Sequence, residues 1–224
     1  MSSAQRDKRD APSLTSRRPS WFGWITGLLI FGIVLVGLYS VFATANPATT
    51  AAASGGTSRS AYDVGTPGIG QVAPGFTLDD NAGGQVSLAD YSGESVLLFF
   101  QEGLACEACW SQITSLEAEA ARLKDAGIDA IVSITHDPAQ QTARKTSDMG
   151  LTTPVLSDPD LAASKKYRTN EFGMMGTSTN GHSFILVGPD GTITWRADYG
   201  GAPEYTMFVP VDQLLLDLKI DTKA

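Results

Sequence analysis

The apolar positions of this chain fall into two regimes. From Trp21 to Ala45 the run WFGWITGLLIFGIVLVGLYSVFATA carries no charged residue, whereas from Gln71 onward short apolar runs alternate with stretches of helical period. About 20 consecutive apolar residues cross a bilayer core, so the first regime predicts one transmembrane helix over 21–45. Trp21, Trp24 and Tyr39 stand near its ends, where aromatic rings favour the membrane interface. Between the regimes, residues 46–70 are rich in Ala, Ser, Thr, Gly and Pro and show no apolar period. Such a segment buries too little apolar surface to offset its ordering entropy, which predicts a flexible linker.

The second regime predicts an α/β domain over 71–224. VLLFF (from Val96) and AIVSIT (from Ala130) read as buried strands. A helix from Cys106 to Ala126 connects them, so they are expected to run parallel. On that helix Ile113, Leu116, Ala120 and Leu123 share a face, and Gly127 is its stop. Asp137 is expected to cap a helix begun by Pro138, and Asp158-Pro159 to start a shorter one reaching Tyr167. SFILV, the turn GPDG and TITWR predict a β-hairpin. Pro210 opens a last helix with Val211, Leu214, Leu215 and Leu218 facing inward.

Charge refines this picture. The net charge is −8 over 224 residues, yet the first 20 carry five basic side chains against Asp7 and Asp10. This basic tail ahead of the apolar run predicts a cytoplasmic N-terminus, a single-pass span in the cell membrane and an extracytoplasmic domain, where a disulfide persists. The competing reading is a cleaved secretory signal with Ala43-Thr44-Ala45 as its site. The body is acidic, with no basic face for phosphate, which excludes nucleic acid as a partner.

Both cysteines of the chain lie in FFQEGLACEACW, as Cys106 and Cys109. This places them where a buried strand ends and a helix begins, the edge at which sites of open α/β sheets collect. A helix N-terminus favours thiolate over thiol, and a two-residue spacer lets one sulfur attack while the other resolves. Two further uses remain open. A staple closing so short a loop removes little entropy from the unfolded chain, and a metal site would need ligands beyond these two thiols, a four-cysteine zinc site being excluded.

APGFTLDD (from Ala73), VSLADYSG (from Val86), VLLFF and the later FILVGPDGTITWR resemble, in this order, the redoxin superfamily. That group includes alkyl hydroperoxide reductase/thiol-specific antioxidant proteins, which are peroxiredoxins, and thioredoxin-like proteins. The resemblance covers residues 71 to 220 and implies a thioredoxin-like fold, a central mixed sheet flanked by helices. It also implies antioxidant or disulfide-exchange activity and no organic cofactor. The peroxiredoxin motif P-x-x-x-T-x-x-C, laid on this chain, puts Cys109 at the peroxide-reacting position, Cys106 at the Thr position and Glu102 at the Pro position. The Arg that such enzymes place before the hairpin strand falls near Gly181. The cis-proline of thioredoxins has no counterpart between Gly176 and Ser183. In thioredoxins an aromatic residue precedes the first cysteine, whereas here Trp110 follows the second and is expected to cover the first helical turn.

A third resemblance rests on His182-Ser183, which stands before FILVGPDG as a similar dipeptide does in Sco-type copper chaperones. It implies copper held by Cys106, Cys109 and His182, donors that suit that metal. Met174 and Met175 add soft donors nearby, and His136 ends the second strand, from which a proton shuttle could reach the thiols. The leading expectation is a membrane-anchored thiol–disulfide oxidoreductase with Cys106 and Cys109 as its redox couple, reduced by a thiol–disulfide partner protein. The alternatives are a thiol peroxidase and a copper-binding assembly factor. The thioredoxin likeness makes Cys106 the attacking thiol; the peroxiredoxin register makes it Cys109.

Overall fold

The computed structural model describes residues 30–36 and 62–221. Among them, seven strands form one sheet in the order β2-β1-β5-β4-β3-β6-β7. These are β1 (Thr77–Asp80), β2 (Gln85–Ser87), β3 (Val96–Phe100), β4 (Ala130–Thr135), β5 (Val155–Ser157), β6 (Ser183–Val187) and β7 (Ile193–Asp198). The helices are α1 (Glu107–Ala118), α2 (Ala120–Asp125), α3 (Ala139–Met149), α4 (Ala162–Tyr167) and α5 (Val211–Asp221). β3, β4 and β5 are parallel, whereas β6 runs antiparallel to β3, and β7 to β6. This is the expected mixed α/β sheet.

β3 is buried along its whole length because both faces of the sheet are covered. Leu97 and Phe99 belong to a core with Trp110, Ile113 and Leu116 of α1 and Leu214, Leu215 and Leu218 of α5. Val96, Leu98 and Phe100 point the other way, into a core with Phe76, Ala163 and Tyr167. Alternation along a strand thus splits one apolar run between two cores. The hairpin turn closes through Gly191 N–H to the Gly188 carbonyl at 2.9 Å.

The structure amends several local expectations. The helix expected over 106–126 is two helices, broken where Glu119 leaves helical backbone (φ −108°, ψ 17°). Glu117, beside the break, accepts the Thr152 and Thr153 amides, and Ala120 is exposed. Asp137 does not cap α3; Pro138 occupies the cap position, and the carboxylate turns toward the loop before Cys106. Residues 62–70, expected within the linker, lie along β7: Asp63 and Asp198 exchange backbone hydrogen bonds, and Gly70 N–H reaches the Ile193 carbonyl.

The expected single-pass membrane location is overturned. Among the described residues no helix is long and apolar enough to cross a membrane, and the only helical stretch described within 21–45 covers residues 30–36. The rest of that expected span, the basic tail and residues 46–61 lie outside the described residues. The extracytoplasmic placement deduced from the span falls with it.

Candidate active site

The sheet delivers the cysteines to the end of its central strand. After β3, Gln101 donates from its side chain to Ser133 Oγ at 2.9 Å, and the chain then turns at Gly103 with φ 91°. This conformation suits glycine, and a Cβ here would stand 1.9 Å from Asp137 Oδ2. Asp137 accepts the Leu104 amide at 2.7 Å and the Thr135 hydroxyl at 2.9 Å, fastening this loop to the end of β4. The Trp110 indole N–H donates to the Gly103 carbonyl at 3.1 Å from within the core.

Cys106 occupies the N-cap of α1, and its Sγ accepts the Cys109 N–H at 3.2 Å. A sulfur in this place shares the Cys109 amide with the Cys106 carbonyl and faces the positive end of the helix, both of which favour a thiolate. The two sulfurs are joined as a disulfide across a Cα separation of 5.3 Å. Cys106 is 9% exposed and Cys109 is fully buried, so an incoming reagent meets Cys106 first. Lys145 of α3 pairs at 2.9 Å with Glu107 in the first turn of α1 and stands 5.8 Å from the Trp110 ring centroid.

His182 is the imidazole that meets a sulfur, its Nδ1 standing 3.8 Å from Cys109 Sγ. The ring is fully buried, edge-on to Phe99 and Phe184, and burial pulls its pKa from 6.5 to about 3. It is therefore neutral across the physiological range. Its Nε2 has no hydrogen-bond partner among the described residues. His136 stands instead 4.0 Å from Asp137, and Met174 and Met175 are exposed.

The positions that the peroxiredoxin likeness singled out are filled differently here. Glu102 is buried and accepts the Met174 amide at 2.5 Å, so its carboxylate anchors the 173–176 loop. Gly181 is closed to any side chain, because a Cβ would stand 1.6 Å from the Phe172 carbonyl oxygen. An Arg has no room there. The copper arrangement is not formed either: Cys106 and Cys109 are bonded to each other, and no group of three or more His, Cys, Asp or Glu among the described residues is disposed to hold a metal ion. Asp137, Lys145 and the anchoring role of Glu102 escaped the sequence reading, since their partners lie 33, 38 and 72 residues away.

A mixed sheet of this topology flanked by helices is of thioredoxin-like architecture, and it carries the cysteine pair at the head of α1. Its family follows from comparison. The AhpC/TSA family profile matches residues 69–196, and the chain belongs to this family. A Mycobacterium tuberculosis (H37Rv) protein described as a peroxiredoxin is 36% identical over 129 residues, 55% of this chain and 80% of that relative. Peroxiredoxin Bcp of Escherichia coli K12 is 32% identical over 127 residues, 55% of this chain and 81% of that relative. Among solved structures, peroxidoxin BcpB from Mycobacterium tuberculosis superposes with a TM-score of 0.56 at 19% identity, covering 68% of this chain and 96% of the other. The reduced 2-Cys peroxiredoxin of Plasmodium vivax gives 0.56 at 19% identity, covering 67% and 80%. These two likenesses carry the fold. By its family the chain is an oxidoreductase.

Proposed function

We propose that this chain is a thiol peroxidase in which Cys106 attacks the peroxide and Cys109 resolves the product. Its peroxiredoxin relatives support peroxidase activity over the disulfide exchange expected first, while their motif register puts Cys109 at the attacking position, so the roles rest on other grounds. The observation that carries the assignment of roles is the unequal placement of the sulfurs, one at a helix cap and partly accessible, the other buried.

In the proposed cycle the Cys106 thiolate attacks the terminal peroxide oxygen. The O–O bond breaks, the other oxygen leaves as alcohol or water, and Cys106 becomes a sulfenic acid. Cys109 then displaces hydroxide from Cys106 Sγ, giving water and the observed disulfide. A dithiol reductant restores both thiols, its own sulfurs being oxidised to a disulfide. With Gly181 closed and Cys106 at the Thr position, activation of the thiolate falls to the α1 N-terminus and the Cys109 amide.

The test is stopped-flow mixing of the reduced protein with hydrogen peroxide, followed by Trp110 fluorescence, with a sulfenic-acid trap applied to Cys109→Ser. The expected result is a rate far above that of free cysteine and a trapped adduct on Cys106. A rate equal to that of free cysteine would overturn the peroxidase reading. An adduct on Cys109 in Cys106→Ser, with none on Cys106 in Cys109→Ser, would reverse the roles.

A further inference from the structure

Resting on this peroxidase reading, we infer that His182 is the catalytic base of the resolving step, taking the Cys109 proton at Nδ1 as Cys109 attacks the oxidised Cys106. The contact is direct, 3.8 Å between Nδ1 and Cys109 Sγ, in a place buried from bulk solvent where water is a slow substitute for a base. A buried thiol is held protonated by its surroundings and is inert until a neighbour accepts its proton. His182 is the imidazole in contact with that sulfur.

The surroundings of the ring suit the task. Burial keeps it neutral and lowers its basicity while the disulfide is intact. The thiolate formed as Cys109 gives up its proton is the adjacent opposite charge that raises the ring's proton affinity during the step. Beside the Cys109 sulfur, the contacts of this residue include the Phe99 ring of β3, the Phe184 ring of β6, the Phe172 carbonyl that accepts its backbone N–H, and Tyr199 and Gly200, whose amides donate to its carbonyl. None of these brings a charge, and the one titratable group among them, the Tyr199 hydroxyl, is bonded to Asp217. The thiol of Cys109 is thus the natural source of a proton for Nδ1, and the resulting thiolate–imidazolium pair carries no net charge into the core. In the balanced step, the proton moves from Cys109 Sγ to Nδ1, the S–S bond forms and the Cys106 S–O bond breaks. The displaced hydroxide leaves as water, and the imidazole ends neutral.

Two measurements test the inference. In the first, reduced wild type and His182→Gln are mixed with one equivalent of peroxide, and sulfenic acid and disulfide are quantified in time. Both form sulfenic acid at Cys106, and its closure is at least tenfold slower in the variant, general bases contributing about 10²–10⁴-fold. The variant's closure rate rises with pH, as solvent takes over deprotonation. Equal closure rates and equal pH profiles would overturn the role of His182. Failure of wild type to form either sulfenic acid or disulfide faster than free cysteine is oxidised would instead overturn the peroxidase reading.

The second measurement needs neither a variant nor peroxide. The chain has two histidines, so their ¹⁵N imidazole signals are readily separated. On reduction of the disulfide at pH 7 the Nδ1 signal of His182 should move to that of a nitrogen accepting a hydrogen bond from the Cys109 thiol. A signal unchanged between the oxidised and reduced protein would overturn the inference.

Discussion

Two buried polar groups on the hairpin side of the sheet, His182 and Arg196, are treated in opposite ways. Arg196 of β7 is fully buried, but its guanidinium makes two bonds to Asp198, at 2.8 and 3.0 Å, and a third to the Pro67 carbonyl at 2.7 Å. Asp198 in turn accepts the Gly65 amide at 2.7 Å. His182, also fully buried, has one ring nitrogen against a sulfur and the other without a partner among the described residues. A buried polar group left unpaired costs stability, so the satisfied pair reads as architecture and the unsatisfied ring as chemistry. The pair ties residues 62–70 to the sheet; the imidazole waits for a proton.

This contrast can be broken from either side. The largest effect belongs to the sulfurs: Cys106→Ser should abolish peroxide turnover, checked by a coupled assay of peroxide consumption, while leaving the fold intact by circular dichroism. Next, Asp198→Ala leaves Arg196 buried without its carboxylate and should cost about 3–5 kcal/mol in urea unfolding. In that variant the rate of Cys106 oxidation per folded molecule should not change.

The third prediction sharpens the contrast through pH. Unfolded, His182 binds a proton below its ordinary value of 6.5; folded, it does so only near 3. The unfolded chain therefore holds the extra proton between these values, and the stability associated with neutral His182 is present above pH 6.5 and lost as pH falls toward 3. The slope is about 1.4 kcal/mol per pH unit. The stability difference between wild type and His182→Gln, from urea titrations at pH 7 and pH 5, should shrink or reverse by about 2 kcal/mol. A constant difference would mean that the ring is accessible to protons.

Smaller effects lie around the loop. Gly103→Ala forces a side chain into a positive-φ position against Asp137 and should cost on the order of 1–3 kcal/mol, with slower oxidation of Cys106 as the loop shifts. Lys145→Ala removes a partly exposed pair with Glu107 and should change stability by less than about 1 kcal/mol. A larger loss would show that the packing of Lys145 over Trp110 matters more than its ion pair.

Several elements were legible in advance. VLLFF and AIVSIT are long enough, apolar enough and close enough to turn signals to be read as strands, and both stand where expected. The inward face of α5, Val211, Leu214, Leu215 and Leu218, is buried as its period predicts. β1, β2 and β5 are only three or four residues long, too short for a period to show. Asp137 ahead of Pro138 imitates a helix cap in sequence, but its partner is an amide on another loop. The 25-residue apolar run has the composition of a membrane span, and the structure describes residues 30–36 of it, which are helical.

What the sequence determined by itself is the local and periodic: the α/β order, the apolar faces, and a C-x-x-C at a strand-to-helix junction, because neighbouring residues and their spacing are enough to specify these. Tertiary structure alone decided which sulfur is buried, that position 181 has no room for a side chain, and that His182 Nδ1 faces Cys109 Sγ, a neighbourhood that the copper-chaperone resemblance implies without its geometry. These depend on β6 lying antiparallel beside β3, which brings residues 73 positions apart into contact. Such a pairing is chosen by the packing of the whole sheet, and no local pattern encodes it.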